Sequence, residues 1–565
     1  MPESVQGIIA ARLDLLAPAE KRLLQDAAVI GKVFWPGAVA ALGGGPGPGE
    51  LEERLHGLER RQFVRRARAS SVAGETQYAF VHALVRDVAY GQIPRMARAG
   101  QHATAAGWIE SLGRAADHAE MLAHHYMSAL DLARAAGRDT SDLTPRARAA
   151  LHRAGDRALA LNALAAAAGY YRAALALWPQ DAPGPRAGLQ RLLGTTLFEA
   201  GELQQAEAVL AEGSDAAAAA GLPRLQARIR IRLAEIHDLQ AAPEEETLAE
   251  CEAAAAVLEA EGDLEGLAEA WKLTGMIRFW LGDSPAGQQA LERAMAYARQ
   301  GGHRRVEIGA SSWLAWTLAW GLPIPADTAI ARAWQLLQAA KGEPWAEAEI
   351  LTPLSLIYAW VGRLAEARDA NTRARSVYDS SGAKIRWARN VRTCGEIELI
   401  AGDLAAAEHH LREAHETLRA MGERGYLSTV AGFLAETLCA QGRLGEAQQM
   451  TEEAQAAAPP GDIDAQARWR AARAKVLARS GQFPAARTLL DEAEALVSPT
   501  SWAVLQGQVL MARAEVDRLA GAPQQAEASL RAALRLYQDR HAPLLAGQAA
   551  AALASLTGHR NAKPA

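Results

Sequence analysis

The chain has 565 residues, half of them apolar but only 5% aromatic, and its 60 basic and 65 acidic residues leave a formal charge of −5. That near-balance excludes a global field drawing the chain to nucleic acid or to an acidic membrane. The alanine-rich, aromatic-poor apolar half favours closely packed helices over sheets.

From the N-terminus, Val5–Leu15 and Pro18–Ile30 read as amphipathic helices carrying charges throughout, unlike a signal peptide. After Phe34-Trp35 come a short helix, the glycine–proline loop Gly43–Gly49 and a helix from Glu50 to Arg61. Phe63–Ala69 and Thr76–Phe80 flank Ser70-Ser71-Val72-Ala73-Gly74 and read as a β-hairpin. Helices followed by a hairpin make residues 1–100 a winged-helix module, and residues 101–144 a helical connector.

Downstream the sequence becomes periodic. The motif Gly-x-(Leu/Phe)-x-x-Ala begins at Gly201, Gly362, Gly402, Gly442 and Gly481, with weaker copies at Gly282 and Gly521 and a glycine in register at Gly321. Successive spacings are 81, 39, 41, 40, 40, 39 and 40 residues, and Ala241-Ala242-Pro243 sits where the double gap needs a turn. Leu161-Asn162 lies one period upstream of Gly201. Each glycine follows a helix-like stretch, where a left-handed C-terminal cap needs a residue without Cβ. The second helix of each unit repeats small and apolar residues at offsets of four and seven: Ala407, Leu411, Ala414; Ala486, Leu490, Ala493; Ala526, Leu530, Ala533. A single hairpin cannot bury such a face, so stability must come from stacking. The expectation is an all-α solenoid of about ten helical hairpins over residues 145–556, opened by Thr144-Pro145, with residues 557–565 a disordered tail.

Gly-x-Leu-x-x-Ala with Ala seven positions later resembles the core of the tetratricopeptide repeat, and the 40-residue period resembles the longer tetratricopeptide-like repeats of bacterial regulatory ATPases. An armadillo or HEAT stack has a similar period and is the structural rival. The stretch Phe80-Val81-His82-Ala83-Leu84-Val85-Arg86-Asp87-Val88-Ala89-Tyr90 is similar to the "MHD" segment closing the winged helix of signal-transduction ATPases with numerous domains. Pro2–Asp14 and Leu24–Trp35 also resemble that family. The resemblance implies the order ATPase core, winged helix, repeat sensor, often with an adenylate/guanylate cyclase domain upstream. It assigns His82 a contact to the phosphate of ADP, exercised only if an ATPase core is supplied in cis or trans. Here the core is missing: the only Gly-Lys pair is Gly31-Lys32, with Asp26 five before the glycine and Val33 after the lysine, which is no P-loop. The expectation is therefore a fragment, or an alternative start within a longer reading frame.

No catalytic constellation emerges. Arg60, Arg61, Arg65, Arg66 and Arg68 give the hairpin region a basic character, but Glu50, Glu52, Glu53 and Glu59 on the adjacent helix oppose a duplex, so nucleic acid is not the expected partner. His118, His124 and His125, and later His409, His410 and His415, form no zinc-ligand pattern, and no metal or cofactor is expected of the chain itself. Cys251, Cys394 and Cys439 form no CxxC pair and suit a reducing cytoplasm. The longest apolar run, Trp313–Pro325, is too short to span a membrane. Within it Trp313, Trp316 and Trp320 fall at i, i+3 and i+7, either thicker core packing or an aromatic stripe that anchors a partner. The functional expectation is a non-catalytic regulatory scaffold binding a protein, a peptide or a small effector. The alternatives are a stand-alone interaction protein and a winged-helix DNA-binding regulator.

Overall fold

Prolines and short apolar β-formers partition the first hundred residues. In the computed structural model, residues 3–43, 47–113, 117–240 and 244–561 are described, and contacts divide the chain into two units, Met1–Asp181 and Ala182–Ala565.

The first unit opens with α1 (Glu3–Asp14) and α2 (Pro18–Ile30), followed by β1 (Val33–Phe34), α3 (Pro36–Gly43), α4 (Pro48–Arg60), β2 (Val64–Arg66) and β3 (Tyr78–Phe80). Proline at the first turn of α2 and α4 fixes φ where no intrahelical N–H bond is needed. The antiparallel sheet has order β1-β3-β2, with Val33 opposite Ala79 and Val64 opposite Phe80. Helix, strand, two helices and a hairpin in this strand order form a winged helix. The hairpin strands are shorter than the sequence suggests, and the central partner of β1 is β3, a pairing invisible in a two-residue strand. Phe34 stacks on Tyr78 at 5.8 Å between ring centroids, and Leu24, Trp35, Leu55 and Leu58 complete a closed core. Helices α5 (Ala83–Gly91), α6 (Arg95–Ser111), α7 (Ala119–Ala135), α8 (Leu143–Ala160) and α9 (Leu164–Ala176) follow. The α8–α9 turn is the expected one at Leu161-Asn162, with Asn162 left-handed at φ 55°.

Among the described residues, the second unit has nine helical hairpins and a closing helix. The pairs are α10 (Pro183–Glu199) with α11 (Leu203–Ala219), α12 (Pro223–Leu239) with α13 (Glu244–Ala260), and α14 (Leu264–Trp280) with α15 (Ser284–Gly301). Then come α16 (Arg304–Trp316) with α17 (Ala326–Ala339), α18 (Pro344–Trp360) with α19 (Leu364–Ser381), and α20 (Lys384–Ala401) with α21 (Leu404–Met421). The last are α22 (Gly425–Ala440) with α23 (Leu444–Ala457), α24 (Ile463–Arg479) with α25 (Phe483–Val497), α26 (Ala503–Leu519) with α27 (Pro523–Asp539), and the lone α28 (Pro543–Asn561). This is a tetratricopeptide-like solenoid. Residues 557–561, expected in a disordered tail, continue α28, because the alanine and leucine run from Leu544 supplies helix propensity and an apolar side to pack. The expected turn at Ala241-Ala242-Pro243 and the centre of the Gly43–Gly49 loop lie outside the described residues.

Ala407, Leu411 and Ala414 are fully buried, as are Ala486, Leu490 and Ala493, so the offsets of four and seven do mark the packed face of the second helix. Opposite Leu411 the first helix carries Gly395, whose Cβ, if present, would fall 2.6 Å from Leu411 Cγ. Successive first helices pack on one another in sequence. They also meet the next superhelical turn: Arg386 bonds Glu199 across 187 positions, Gly461 N–H donates to Glu244 across 217, and Trp502 Nε1 donates to Ser284 Oγ across 218. About five 40-residue repeats thus bring the chain back upon itself within this unit.

Candidate functional site

The first helices of the hairpins carry charged residues at buried positions, where apolar ones would pack more cheaply. Their partners come from neighbouring repeats and from the next superhelical turn. Arg386 of α20 pairs with Glu199 of α10 and donates from Nε to Glu349 of α18 at 3.0 Å. Arg389 Nη2 reaches the other oxygen of Glu349 at 3.1 Å, and Tyr378 donates its hydroxyl to the same carboxylate at 2.9 Å. On the other side of Glu199, Arg232 pairs with Glu235 and with Glu269, and Lys272 reaches Glu235. Burial alone would raise the Glu199 carboxyl, but Arg386, Arg305, Arg232 and Lys272 bring it down to about 2. Glu349 is likewise held low, against burial, by Arg386 and Arg389. Further along, Arg392 pairs with Glu396, Arg468 with Asp464 and Lys475 with Glu436.

The tryptophan stripe lies beneath this layer. Trp313, Trp316 and Trp320 are only 7%, 5% and 7% exposed, so they form no open aromatic surface. Trp313 stands edge-on to Trp280 at 5.7 Å and Trp320 edge-on to Trp360 at 5.0 Å. Arg389 and Arg392 lie over the Trp316 ring at 5.6 and 5.5 Å, and Arg468 approaches Trp320 at 5.9 Å. Trp313 and Trp316 lie in α16 and Trp320 in the turn that follows it, and the arginines that approach Trp316 and Trp320 come from α20 and α24, 70 or more positions away.

Trp320 departs from the α-helix. Thr317–Gly321 is a π-helical turn, and the wider ring frees carbonyls from the regular ladder. Arg540, 4% exposed, donates Nη2 to Leu318 O at 2.8 Å and to Ala319 O. With no carboxylate beside it, burial lowers the Arg540 pKa to about 10. Gly321 holds the repeat register without a left-handed cap, its space instead closed by Ser284.

A different arrangement occupies the seam between turns. Asp238, Glu244, Glu423 and Asp462 approach one another where α12, α22 and the α23–α24 loop meet. Glu244 accepts from Gly461 N–H, Glu423 from the Tyr426 and Leu427 amides, and Asp462 from Ala465 N–H, but no basic side chain is among their strong partners. Burial, then mutual repulsion, pushes Asp238 up to about 7 and Glu423 up to about 8.

In the first unit, His82 lies at the N-cap of α5, exposed, with φ −130° and ψ 133°, and makes no side-chain cap bond. The helix that occupies the recognition position of a winged helix, α4, presents Glu50, Glu52 and Glu53 to solvent, so the observed surface repels phosphate where a reader would need cations. His125, considered above with His118 and His124, is buried with His102 in a polar cluster that half-buried Tyr90 closes and exposed His124 flanks: His102 Nδ1 lies 2.9 Å from His125 Nδ1, and Tyr90 Oη 2.9 Å from His102 Nε2. Two Nδ1 atoms at that distance require one to be unprotonated, and burial lowers His102 to about 4 and His125 to about 3. His409, His410 and Glu413 bring ligand atoms within 4.8 Å of one another on the surface of α21, but Glu413 is already engaged by Arg375.

No family model and no curated protein matches the chain. Among solved structures, the chain is similar to the anaphase-promoting-complex hetero-tetramer Cut9–Hcn1, with TM-score 0.50 and 14% identity over 82% of this chain and 88% of that one. It also matches the Rap protein complexed with competence and sporulation factor, with TM-score 0.41 and 12% identity over 66% and 98%. A signal-transduction ATPase with numerous domains and a tetratricopeptide repeat sensor, from Pyrococcus horikoshii, matches with TM-score 0.35 and 11% identity over 86% of this chain and 64% of that one. At such identities these likenesses speak to the fold alone. No helix among the described residues is long and apolar enough to cross a membrane. The chain has a helical-repeat solenoid fold of the tetratricopeptide type, preceded by a small helix and β-hairpin module.

Proposed function

We propose that this chain is the regulatory and sensor part of a signal-transduction ATPase, acting in the cytoplasm as a non-catalytic scaffold. Its repeats bind a protein, a peptide or a small effector, and the winged helix passes that occupancy to a nucleotide-binding core supplied in cis or trans. The observation that carries this reading is the placement of His82: exposed, and immediately after the last strand of a winged helix whose strand order is β1-β3-β2. An imidazole there has both ring nitrogens available to a phosphate oxygen of a docked core. Trp313, Trp316 and Trp320 then act as the buried support of the arginine layer rather than as direct anchors.

Occupancy can shift a nucleotide state only if the effector prefers one conformation over the other. The direct test is the genomic reading frame upstream of Met1. An in-frame Walker motif is the expected result, and His82→Ala in that longer protein should then loosen ADP retention. A stop codon and a ribosome-binding site immediately before Met1 would overturn the reading and leave a stand-alone interaction scaffold.

A further inference from the structure

The last repeats of the solenoid enclose a cavity of about 480 Å³, within the size range of small-molecule sites. Six helices build it. Phe433 of α22, Met511 of α26, Leu530 and Tyr537 of α27, and Leu545 and Leu556 of α28 supply apolar walls. Five charged side chains complete the lining: Glu396, Glu436, Lys475, Glu515 and Arg518.

The charges are not evenly engaged. Glu396 is held by Arg392 at 3.0 Å, and its second oxygen is closed off from solvent. Glu436 is taken by Lys475, and Glu515 by Arg479 at 2.7 Å. Each carboxylate therefore has a cation. Arg518 is exposed on α26 and makes no ion pair among the described residues, which leaves one guanidinium lining the cavity with its fork of donors free.

We propose that this cavity is an effector site for a small amphipathic carboxylate, its apolar body between Phe433, Met511 and Leu530 and its carboxylate on Arg518. The inference rests on the sensor reading above and gives that sensor a site and a ligand class. An amine of the same body would add a second unpaired cation beside Arg518 and be rejected on charge. A neutral alcohol would gain the apolar contacts without the charge-assisted bond.

Isothermal titration calorimetry of the full chain with phenylbutyrate, phenylbutylamine and phenylbutanol separates these cases, because the three differ only in the head group. Saturable one-site binding by phenylbutyrate is expected, with phenylbutanol about tenfold weaker and the amine silent. Arg518→Gln should bring phenylbutyrate to the level of the alcohol, and Arg518→Lys should restore part of the difference. Ala552→Phe, on the half-buried face of α28 that lines the cavity, should abolish binding of both. Neither Arg518 variant touches the core, so loss of fold is not expected of them. Equal binding of amine and acid, an unchanged affinity in Arg518→Gln, or silence from all three compounds would overturn the proposal. None of those results would bear on the reading frame upstream of Met1, so the sensor assignment stands or falls separately.

Discussion

The two units bury polar groups by opposite means. In the first, His102 and His125 are joined to each other and to Tyr90 by neutral hydrogen bonds, and Asp26 is met by the amide of Gln101 at 2.7 Å. Burial there prevails: both histidines are pushed far down and Asp26 up to about 6, all toward the uncharged form. In the second unit, Glu199 and Glu349 are also buried, slightly deeper than Asp26, yet they stay ionised because guanidinium groups from other repeats stand against them. What decides between a neutral and a charged interior is thus the presence of a positioned counter-charge, not depth. The carboxylates of the turn-to-turn seam prove the point within the same unit: without such partners they rise.

The sharpest way to break this comparison is to remove a counter-charge. Arg386→Met leaves Glu199 without its close cationic partner and takes one of two from Glu349, at positions 7% and 3% exposed. A cost of about 3–5 kcal/mol is expected, because an uncompensated charge stays buried. Urea denaturation followed by circular dichroism reads it. Combining Arg386→Met with Glu199→Gln should recover part of the loss, since the orphaned charge is then gone. If the double variant were no better than the single, the ladder would be packing and not charge compensation.

Acidity provides the next largest effect, with opposite sign in the two units. Asp238 and Glu423 have folded pKa values raised above their unfolded ones, so their contribution is fully present below about pH 4 and is lost as pH rises through 7 to 8. The groups that face them, Glu235, Glu244 and Asp462, are also acidic, and only the backbone amides at the start of α22 hold Glu423 lower than burial alone would. His102 and His125 have depressed values, so their contribution is present above about pH 6.5 and is lost as pH falls toward 4 and 3. Asp26, raised by burial, works against the histidines below pH 6 but is one group against two. Hydrogen–deuterium exchange of the whole chain, corrected for intrinsic rates, should show the start of α22 losing about 2–4 kcal/mol of protection from pH 5 to 8. Helices α6 and α7 should lose protection in the other direction. Glu423→Gln should flatten the first trend without touching the second. A common pH profile in both regions would dissolve the distinction.

How much of this was readable from sequence follows the range of each interaction. The forty-residue register was plain in Gly362, Gly402 and Gly442, all left-handed in the structure. An equally regular series, Gly221, Gly262, Gly302, Gly342, Gly382 and Gly422, follows the second helix of the first six hairpins and was just as available to inspection. It went unread because its flanking residues vary more than the Gly-x-Leu-x-x-Ala copies do. Local signals also placed the α8–α9 turn at Asn162 and the face of Ala407, Leu411 and Ala414. The ionic ladder was not legible. Arg386 and Glu199 meet only because five repeats close one superhelical turn, and that pitch is set by small packing angles between hairpins, not by the period. For the same reason the tryptophan stripe could be aligned but not assigned to a buried or an open face. The cavity beside Arg518 needed α28, whose last residues, 557–561, belong to the stretch read as a tail.

Arg540 tests the charged interior where no carboxylate is involved. Its Nη2 serves the carbonyls of Leu318 and Ala319, freed by the π-helical turn in the preceding superhelical turn. Arg540→Met keeps the volume and removes the donors, so about 2 kcal/mol should be lost, the cost of an orphaned buried acceptor. Fluorescence of the tryptophans around Trp360 should report the change, because the guanidinium lies 5.9 Å from that ring. A shift in emission with unchanged stability would mean that water replaces the donor there.

The smallest effect belongs to the repeat register itself. Gly402 closes α20 at φ 86° with nothing within 4 Å of where a Cβ would stand, so Gly402→Ala meets no clash and pays only for the left-handed backbone. That is about 1 kcal/mol, less than any charged substitution above. Gly395, seven positions earlier, is the control: its φ is helical, so alanine gains helix propensity, but its Cβ meets Leu411 at 2.6 Å. Other repeats carry Ala474 opposite Leu490 and Ala514 opposite Leu530 at the same sixteen-residue offset, so the hairpin can widen enough for a methyl group. Gly395→Ala should therefore fall within about 1 kcal/mol of neutral, while Gly395→Val should cost about 2–3 kcal/mol by overpacking. If Gly402→Ala were silent and Gly395→Ala severe, hairpin closeness rather than the left-handed cap would be what selects glycine in these repeats.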